Sequence, residues 1–163
     1  MLEFMAGLLE KEVLPLYPDF KGIKRIKIIP HKEHIWGGGT YHVVIEYRTV
    51  FTVSRQETQT LPIFCTAHSQ EPRKNVYTAM KFLWDNGFST GFLTTPRPLF
   101  YSEYFRGTFY RGVEGDNLYH YIHDRDRETV EKMLPMAGEL TVDVLRRGLR
   151  LGRRRRRRRD RAA

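Results

Sequence analysis

Runs of alternating and β-branched apolar residues predict three β-strands in the first half of the chain. The first two cover Ile23–Ile29 and the stretch from Tyr41 toward Val53, and the third covers Leu61–Ala67. Between the first two strands, the segment Trp36–Thr40 contains three consecutive glycines, a composition typical of a tight turn. The pattern therefore predicts a hairpin followed by a third strand.

Apolar residues at helical spacing predict two helices that flank these strands. The first covers residues 2–14 and is closed by Pro15. The second begins near Pro72, a residue well suited to a first helical turn, and ends at Asn86-Gly87. The residues at helical spacing in the first helix are Leu2, Met5, Leu8 or Leu9, and Glu12 or Val13. The apolar face of the second helix consists of Val76, Met80, Leu83 and Trp84.

Two further strands and a last helix complete the predicted elements. Phe100–Phe105 and Thr108–Val113 predict strands joined by a turn at Arg106-Gly107. A helix over residues 127–140 follows, and Pro135 is expected to kink it. This order predicts an α+β fold, in which a five-stranded antiparallel sheet with a packed helix is followed by a hinge and one or two helices.

Charge is distributed very unevenly along the chain. Residues 141–163 carry eleven Arg and two Asp, including the unbroken run Arg153 to Arg159, and so account for the whole net charge of +9. The remaining residues carry equal numbers of basic and acidic side chains. A general nucleic-acid-binding surface on the body of the chain is therefore not indicated.

The single cysteine limits the redox and metal chemistry that the chain can perform. Cys65 lies in an apolar run, which predicts a buried structural thiol and excludes an intramolecular disulfide or a cysteine-based zinc site. Residues 1–20 lack the pattern of a signal peptide, and no segment approaches the roughly 20 apolar residues that a membrane-spanning helix needs. These features predict a cytoplasmic protein without a membrane span.

Three segments carry a resemblance to a known family. Residues 81–88 read Lys-Phe-Leu-Trp-Asp-Asn-Gly-Phe, residues 96–101 read Pro-Arg-Pro-Leu-Phe-Tyr, and residues 113–118 read Val-Glu-Gly-Asp-Asn-Leu. In this order and spacing they resemble the N-terminal lobe of the aminoglycoside phosphotransferase family, whose members are kinase-like enzymes. The resemblance covers roughly residues 20 to 140.

The resemblance implies a small-molecule kinase that uses ATP with Mg²⁺. Residues 21–113 would be the kinase-like small lobe, residues 114–140 the hinge and the first helices of an incomplete large lobe, residues 1–20 an added amphipathic helix and residues 141–163 an Arg-rich tail. The phosphate-covering loop would consist of Gly37, Gly38 and Gly39, and the backbone of Val113 and Glu114 would contact adenine. An ordinary hairpin turn and a plain strand-to-helix loop remain the alternatives at these two places.

The sequence also departs from the family pattern. The third strand lacks the usual phosphate-anchoring lysine within Phe64–His68, and the helix from Pro72 to Trp84 lacks the usual acidic residue. The sequence contains no His-Gly-Asp triplet, and no catalytic or metal-ligating residue is assigned. We therefore expect a fragment that lacks the catalytic lobe and is inactive by itself.

Two alternatives concern the remaining charged and histidine-containing segments. The chain could be a non-catalytic binding module whose run Arg153 to Arg159 contacts nucleic acid, or the tail could be the product of an out-of-frame reading. The group His31, Glu33 and His34 does not have metal-ligand spacing and is expected in a solvated loop. Residues 119–123, with two tyrosines and two histidines, are expected to begin a helix beside the hinge.

Overall fold

The computed structural model describes residues 2–91, 94–113, 123–124, 126–136 and 138–139. By contacts, the chain divides into one unit of Met1–Asp85 with Thr95–Val113, and a second of Asn86–Thr94 with Glu114–Ala163. The elements of the first unit are α1 (Leu2–Val13), β1 (Gly22–Trp36), β2 (Thr40–Thr52), β3 (Thr58–His68), α2 (Lys74–Leu83), β4 (Pro98–Ser102) and β5 (Gly107–Arg111). Short turns of 3-10 helix cover Leu14–Leu16 and Gly37–Gly39, and a π-helical turn, Trp84–Phe88, follows α2.

The five strands form one sheet in the order β1-β2-β3-β5-β4. Every neighbouring pair is antiparallel. This confirms the predicted α+β class and the five-stranded antiparallel sheet. In the chain, β3 is followed by α2 and then by β4, whereas in the sheet the neighbour of β3 is β5.

One face of the sheet, the core face, packs against α1. The helix buries Met5, Leu9 and Val13, four residues apart, as an amphipathic helix should. They join alternate residues of the central strands, because side chains two positions apart in a strand share a face. The strand residues of this cluster are Tyr47 and Phe51 of β2, Leu61, Ile63, Cys65 and Ala67 of β3, Leu99 and Phe100 of β4 and Phe109 of β5.

Cys65 is a buried free thiol within this cluster, as its apolar run predicts. Burial raises the pKa of the Cys65 thiol to about 12, so it stays protonated at neutral pH. Rings also stack across the core, with the centroids of Phe100 and Phe109 4.3 Å apart and those of Phe20 and Phe51 4.4 Å apart. The first contact joins β4 to β5, and the second joins the segment before β1 to β2.

Helix α2 is anchored at its beginning, through contacts to β4 and β5. The hydroxyl of Thr108, which is fully buried, donates to the backbone carbonyl of Arg73. The Arg73 N–H in turn donates to the carbonyl of Arg106 over 3.4 Å. Lys74 forms an exposed ion pair of 2.7 Å with Glu103, which lies in the turn between β4 and β5.

Several predicted boundaries need correction. β1 does not end at Ile29 but continues to Trp36, so that His31, Glu33 and His34 lie in a paired strand and not in a solvated loop. The strand predicted over Phe100–Phe105 is Pro98–Ser102, because a turn with Arg106 at φ 48° follows it. β3 is longer than predicted at both ends, and β5 ends at Arg111 instead of Val113.

The second unit contains helical residues at 127–136 and 138–139. Asp126 accepts a hydrogen bond from the Thr129 backbone N–H over 3.1 Å, and hydrogen bonds from Thr129 lower the pKa of the Asp126 carboxyl. Ion pairs four residues apart, such as Arg127 with Glu131 at 2.6 Å, line the exposed surface of the helix. Residues 114–122 and 140–163, with the predicted contact Glu114 and the run Arg153 to Arg159, lie outside the described residues.

Candidate nucleotide and anion site

The sheet face opposite α1, here called the second face, carries the polar chemistry of the first unit. Near the middle of β3, Glu46 lies opposite Phe64, and Phe64 lies opposite Tyr110. A bulge between Pro30 and Lys32 places His31 beside this row. Its ring centroid lies 5.1 Å from that of Phe64. The rings of His31, Phe64 and Tyr110 thus form a row on this face, and the Glu46 carboxylate belongs to the row beside His31.

Glu46 is a buried carboxylate in this row, only 3% exposed. It lies 2.9 Å from His31 Nε2 and accepts a hydrogen bond of 2.7 Å from Arg48 Nε. Burial acts to raise the pKa of Glu46, but hydrogen bonds from His31 and Arg48 outweigh it, so the pKa lies below its usual value. Glu46 is therefore an ionised, fully engaged anchor for its two neighbours, not a free general base.

The ring of Phe64 lies directly over the backbone of Gly112, at the end of β5. A Cβ added at Gly112 would lie 2.6 Å from Phe64 Cε2, so only glycine fits without a shift. The Gly112 N–H donates to the Pro62 carbonyl over 2.7 Å, and this hydrogen bond joins the end of β5 to β3. Phe64 also stacks on Tyr110 with 5.8 Å between ring centroids. This end of the face is a flat aromatic surface beside the segment that leaves β5.

At the opposite end of the same face, three histidines lie side by side on three adjacent strands. His34 of β1 is the register partner of His42 of β2, and His42 is the partner of His68 of β3. The ring centroids of His42 and His68 are 5.1 Å apart. We call this set, His34, His42 and His68, the histidine row. Two residues further along the strands, Lys32 lies opposite Val44 on the same face.

The electrostatic field at the histidine row is positive. Burial lowers the pKa of His42, and the charges of Lys32, Arg73, His68 and His34 lower it further. Arg73 forms an ion pair of 3.5 Å with Glu71, and its Nε is buried without a hydrogen-bond partner in the described part of the chain. Basic groups from two strands and from the start of α2 therefore surround His42.

The hydrogen bonds of His68 define its state. Its Nδ1 accepts the backbone N–H of Gln70 over 3.2 Å and that of Glu71 over 3.1 Å. A neutral His68 must then carry its proton on Nε2, which makes Nε2 a donor. A nitrogen that carries a proton cannot ligate a metal ion, so this ring is better suited to an anion.

The glycine turn lies next to the histidine row. Gly37–Gly39 joins β1 to β2, with φ 74° at Gly38 and φ 77° at Gly39, where a side chain would be strained. The residue pair of β1 and β2 that lies next to this turn is Trp36 with Thr40. The predicted phosphate loop, Gly37, Gly38 and Gly39, is thus a hairpin turn at the histidine end of the face.

Val113 lies at the other end, just after β5, and its side chain is 67% exposed. The structure therefore does not bring Gly37–Gly39 and Val113, the predicted residues that it describes, into one cluster. On β2, His42 belongs to the histidine row and Glu46 to the row that contains Phe64; they are four residues apart, about 13 Å along an extended strand. An extended nucleoside triphosphate separates its base from its terminal phosphate by a distance of this order.

The sequence reasoning missed the histidine row and Glu46. A signal for the row does exist: His34 and His42 lie equally far from Gly38, the centre of the glycine turn. His42 and His68 lie equally far from Arg55, in the turn before β3. Antiparallel pairing about those two centres makes the three histidines neighbours. No comparable sequence signal marks Glu46, whose burial depends on the bulge at His31.

Among the described residues, no group of three or more His, Cys, Asp or Glu side chains could hold a metal ion. Nor does any helix in that part of the chain have the length and apolar character required to cross a membrane. Comparisons with protein families, with curated proteins and with solved structures gave no match to this chain. Functional inference therefore rests on the chemistry of the second face.

Proposed function

We propose that the first unit is the nucleotide-binding lobe of a kinase-like phosphotransferase that resembles the aminoglycoside phosphotransferases. The observation that carries this proposal is the strand order β1-β2-β3-β5-β4, with α2 between β3 and β4. Kinase-like small lobes share this order, with a glycine-rich turn between the first two strands and a helix after the third. The turn Gly37–Gly39 and helix α2 occupy those two positions.

The aromatic end of the second face suits the adenine base. Phe64 offers a ring for stacking, and the backbone beyond Gly112 offers edge contacts at Val113, as the hinge does in the family. Glu114, the other proposed contact, belongs to the same segment of the sequence. The Gly112 N–H is engaged by the Pro62 carbonyl and is not available to the base.

This lobe is proposed to bind nucleotide without transferring phosphate by itself. Phosphoryl transfer needs carboxylates that bind Mg²⁺ and orient the nucleophile. The described residues offer no cluster for the metal, and Glu46 is engaged by His31 and Arg48. The proposal therefore assigns ATP to this face, assigns Mg²⁺ no protein ligand there, and leaves the acceptor substrate open.

Binding of ATP to the full chain by calorimetry tests the proposal. We expect ATP to bind more tightly than tripolyphosphate, because only ATP has a base to stack on Phe64. Phe64→Leu should remove most of that difference, roughly fivefold to tenfold from loss of one stacked ring. Phe4→Leu is the matched control, because Phe4 is an exposed ring of α1.

Equal affinity for ATP and tripolyphosphate would contradict nucleotide recognition. In the same samples, MgATP with candidate acceptors should give no ADP above a buffer control. Sustained ADP formation that survives repurification would contradict the assignment of this chain as a binding lobe alone.

A second candidate function rests on the charge distribution. All of the net charge of +9 resides in residues 141–163. The run Arg153 to Arg159 would bind polyanions such as RNA through its phosphates, without sequence preference. This activity would be independent of the second face, because arginine runs need no folded partner to contact phosphates.

A further inference from the structure

We propose that the histidine row, with Lys32 and Arg73, is a proton-dependent binding site for the phosphate chain of the ligand. This inference deepens the proposed function and rests on it for the identity of the nucleotide. The site would replace the lysine that β3 lacks: its binding strength depends on histidine charge, whereas a lysine anchor is charged at all physiological pH values.

The geometry of the row supports convergence on one anion. Because His34, His42 and His68 are direct register partners, their side chains leave the same face of adjacent strands. Opposed residues in an antiparallel sheet lie about 5 Å apart. Oxygen atoms of one phosphate group, or of two linked groups, can therefore contact neighbouring rings simultaneously.

The accessibility and charge of the row also suit an anion. His34 is exposed, and His42 and His68 are half-buried, so the row is open to solvent and still partly desolvated. The groups whose charges act on His42 are Lys32 and His34 of β1, His68 of β3 and Arg73 before α2, all of them basic. Among these basic groups, Arg73 pairs with a carboxylate, that of Glu71, at 3.5 Å. A bound phosphate would relieve this mutual repulsion.

The donor state of His68 supports an anion over a metal ion. Its Nδ1 is engaged by two backbone N–H groups, so its Nε2 carries the proton in the neutral ring and donates. Protonation of His42 or His34 adds further donors to the row. Hydrogen bonds from charged donors to phosphate oxygen are the strong class of such contacts.

Linkage fixes the sign of the pH dependence. A bound anion favours the charged form of His42, so binding raises the pKa of His42 from its lowered value. Affinity must then increase as the pH falls through the histidine range. One linked proton gives up to about tenfold in affinity per pH unit between the free and bound pKa values.

The test is calorimetry on the full chain with tripolyphosphate and sulfate, at about pH 5.5 and about pH 8.0, on the two sides of the ordinary histidine range. Sulfate is included because its charge does not change over this range. We expect both ligands to bind roughly tenfold or more tightly at the acid pH. Arginine in residues 141–163 does not titrate here, so for sulfate, whose charge is constant, tail binding contributes equally at both pH values.

The variant His34→Gln/His42→Gln/His68→Asn should lose the gain at acid pH. Asparagine is chosen at position 68 because its side-chain oxygen can accept the Gln70 and Glu71 N–H groups in place of Nδ1. Lys24→Gln is the matched control: it removes a cation from β1 ten residues from His34, roughly 33 Å along the strand. Circular dichroism verifies that each variant is folded. If the triple variant is not folded, the single variant His42→Gln is used in its place.

NMR provides a second readout, because the chemical shifts of the carbon-bound ring protons of histidine follow the protonation of each ring with pH. The titration midpoint of His42 should move upward when sulfate is added to the wild-type chain. Affinity that is independent of pH, or that the histidine substitutions leave unchanged, would overturn this inference. Anion binding that requires added Zn²⁺ and is abolished by a chelator would also overturn it, because the row would then be a metal site.

The same samples separate this inference from the proposed function. If tripolyphosphate binds with the expected pH dependence but ATP gains nothing from its base, the histidine site stands and nucleotide recognition fails. If ATP binds through Phe64 without any effect of the histidine variants, nucleotide recognition stands and the histidine site fails.

Discussion

At the scale of single residues, Glu46 shows how a charged group can be held within a sheet. Its two partners are about half exposed, with side chains 45% exposed at His31 and 51% exposed at Arg48. Water therefore solvates part of each pair and weakens it relative to a wholly buried ion pair. The carboxylate itself is only 3% exposed and depends on these two hydrogen bonds.

We expect Glu46→Gln to destabilise the chain by about 1–2 kcal/mol at neutral pH, because a neutral amide accepts hydrogen bonds from cations less strongly. Since folding lowers the pKa of Glu46, its contribution is fully present above the ordinary value of 4.5 and is lost as the pH falls through the folded pKa. The difference from wild type in urea unfolding should therefore shrink below pH 4.5. A difference that grows at acid pH would contradict this assignment.

Glu33→Gln is the matched control. Glu33 is an exposed carboxylate on the same strand as His31, and its replacement should leave the unfolding midpoint almost unchanged at either pH. Equal destabilisation by the two substitutions would show that the effect depends on overall charge and not on the burial of Glu46.

Gly112 offers a second test, based on close packing. Gly112→Ala would place a methyl group 2.6 Å from Phe64 Cε2 and 3.1 Å from Pro62 Cβ. Overpacking of this kind costs about 1–3 kcal/mol. The unfolding midpoint in urea should fall accordingly, and adding Phe64→Leu should recover part of the loss.

The opposite sign is expected at Gly7, which has no atom within 4 Å of an added Cβ and lies inside α1. Gly7→Ala should stabilise the chain by about 0.5–1 kcal/mol through helix propensity. If Gly112→Ala were neutral or stabilising like Gly7→Ala, the close contact between Phe64 and Gly112 would be refuted.

At the scale of elements, apolar patterning predicted the central strands better than the edge strand. The predicted bounds of β2 agree with the observed ones within one residue, because β-branched and aromatic residues recur along the whole strand. β1 was predicted to end at Ile29, since Pro30 and the polar residues after it break the pattern. The strand continues because β1 is at the edge of the sheet, where a proline without an N–H group is tolerated, and because a bulge follows Pro30.

The candidate site was less predictable than the strands because it depends on register. The sequence assigns Gly37–Gly39 and Val113 from the family resemblance and from the order of the elements, and the structure places them toward opposite ends of the second face. The histidine row arises only when two hairpins are paired about their turns. Residues far apart in the sequence, such as His42 and His68, become neighbours through pairings that composition alone does not encode.

The glycine turn gives a prediction at this scale. Gly39 has φ 77°, whereas Gly37 has no positive φ, and neither has an atom within 4 Å of an added Cβ. Gly39→Ala should therefore destabilise the hairpin by about 1–2 kcal/mol through left-handed strain. Gly37→Ala, the matched control, should cost little. Hydrogen exchange of the backbone amides of residues 32–44 checks this prediction and should be faster in Gly39→Ala than in Gly37→Ala. Equal exchange rates in the two variants would contradict it.

At the scale of the whole molecule, the charge of the chain is segregated. The net charge of +9 belongs to residues 141–163, and the rest of the sequence is neutral overall. Long-range attraction of polyanions is thus expected to come from the tail, whereas the histidine row acts only at short range and at low pH. The two activities can be separated by salt and by pH.

We expect RNA binding by the full chain at neutral pH to depend on the tail alone. Seven adjacent arginines that each neutralise a phosphate should give a log–log salt slope of about −5 to −6, with no preference among sequences. A chain that ends at Leu140 should lose this binding, and a full-length chain with Arg153 to Arg159 replaced by glutamine should behave like the shortened one. Because the glutamine variant keeps the length of the tail, it separates charge from chain length. Retained affinity in both variants would place the binding surface in the sheet, and the kinase-like proposal would then give way to a nucleic-acid-binding domain.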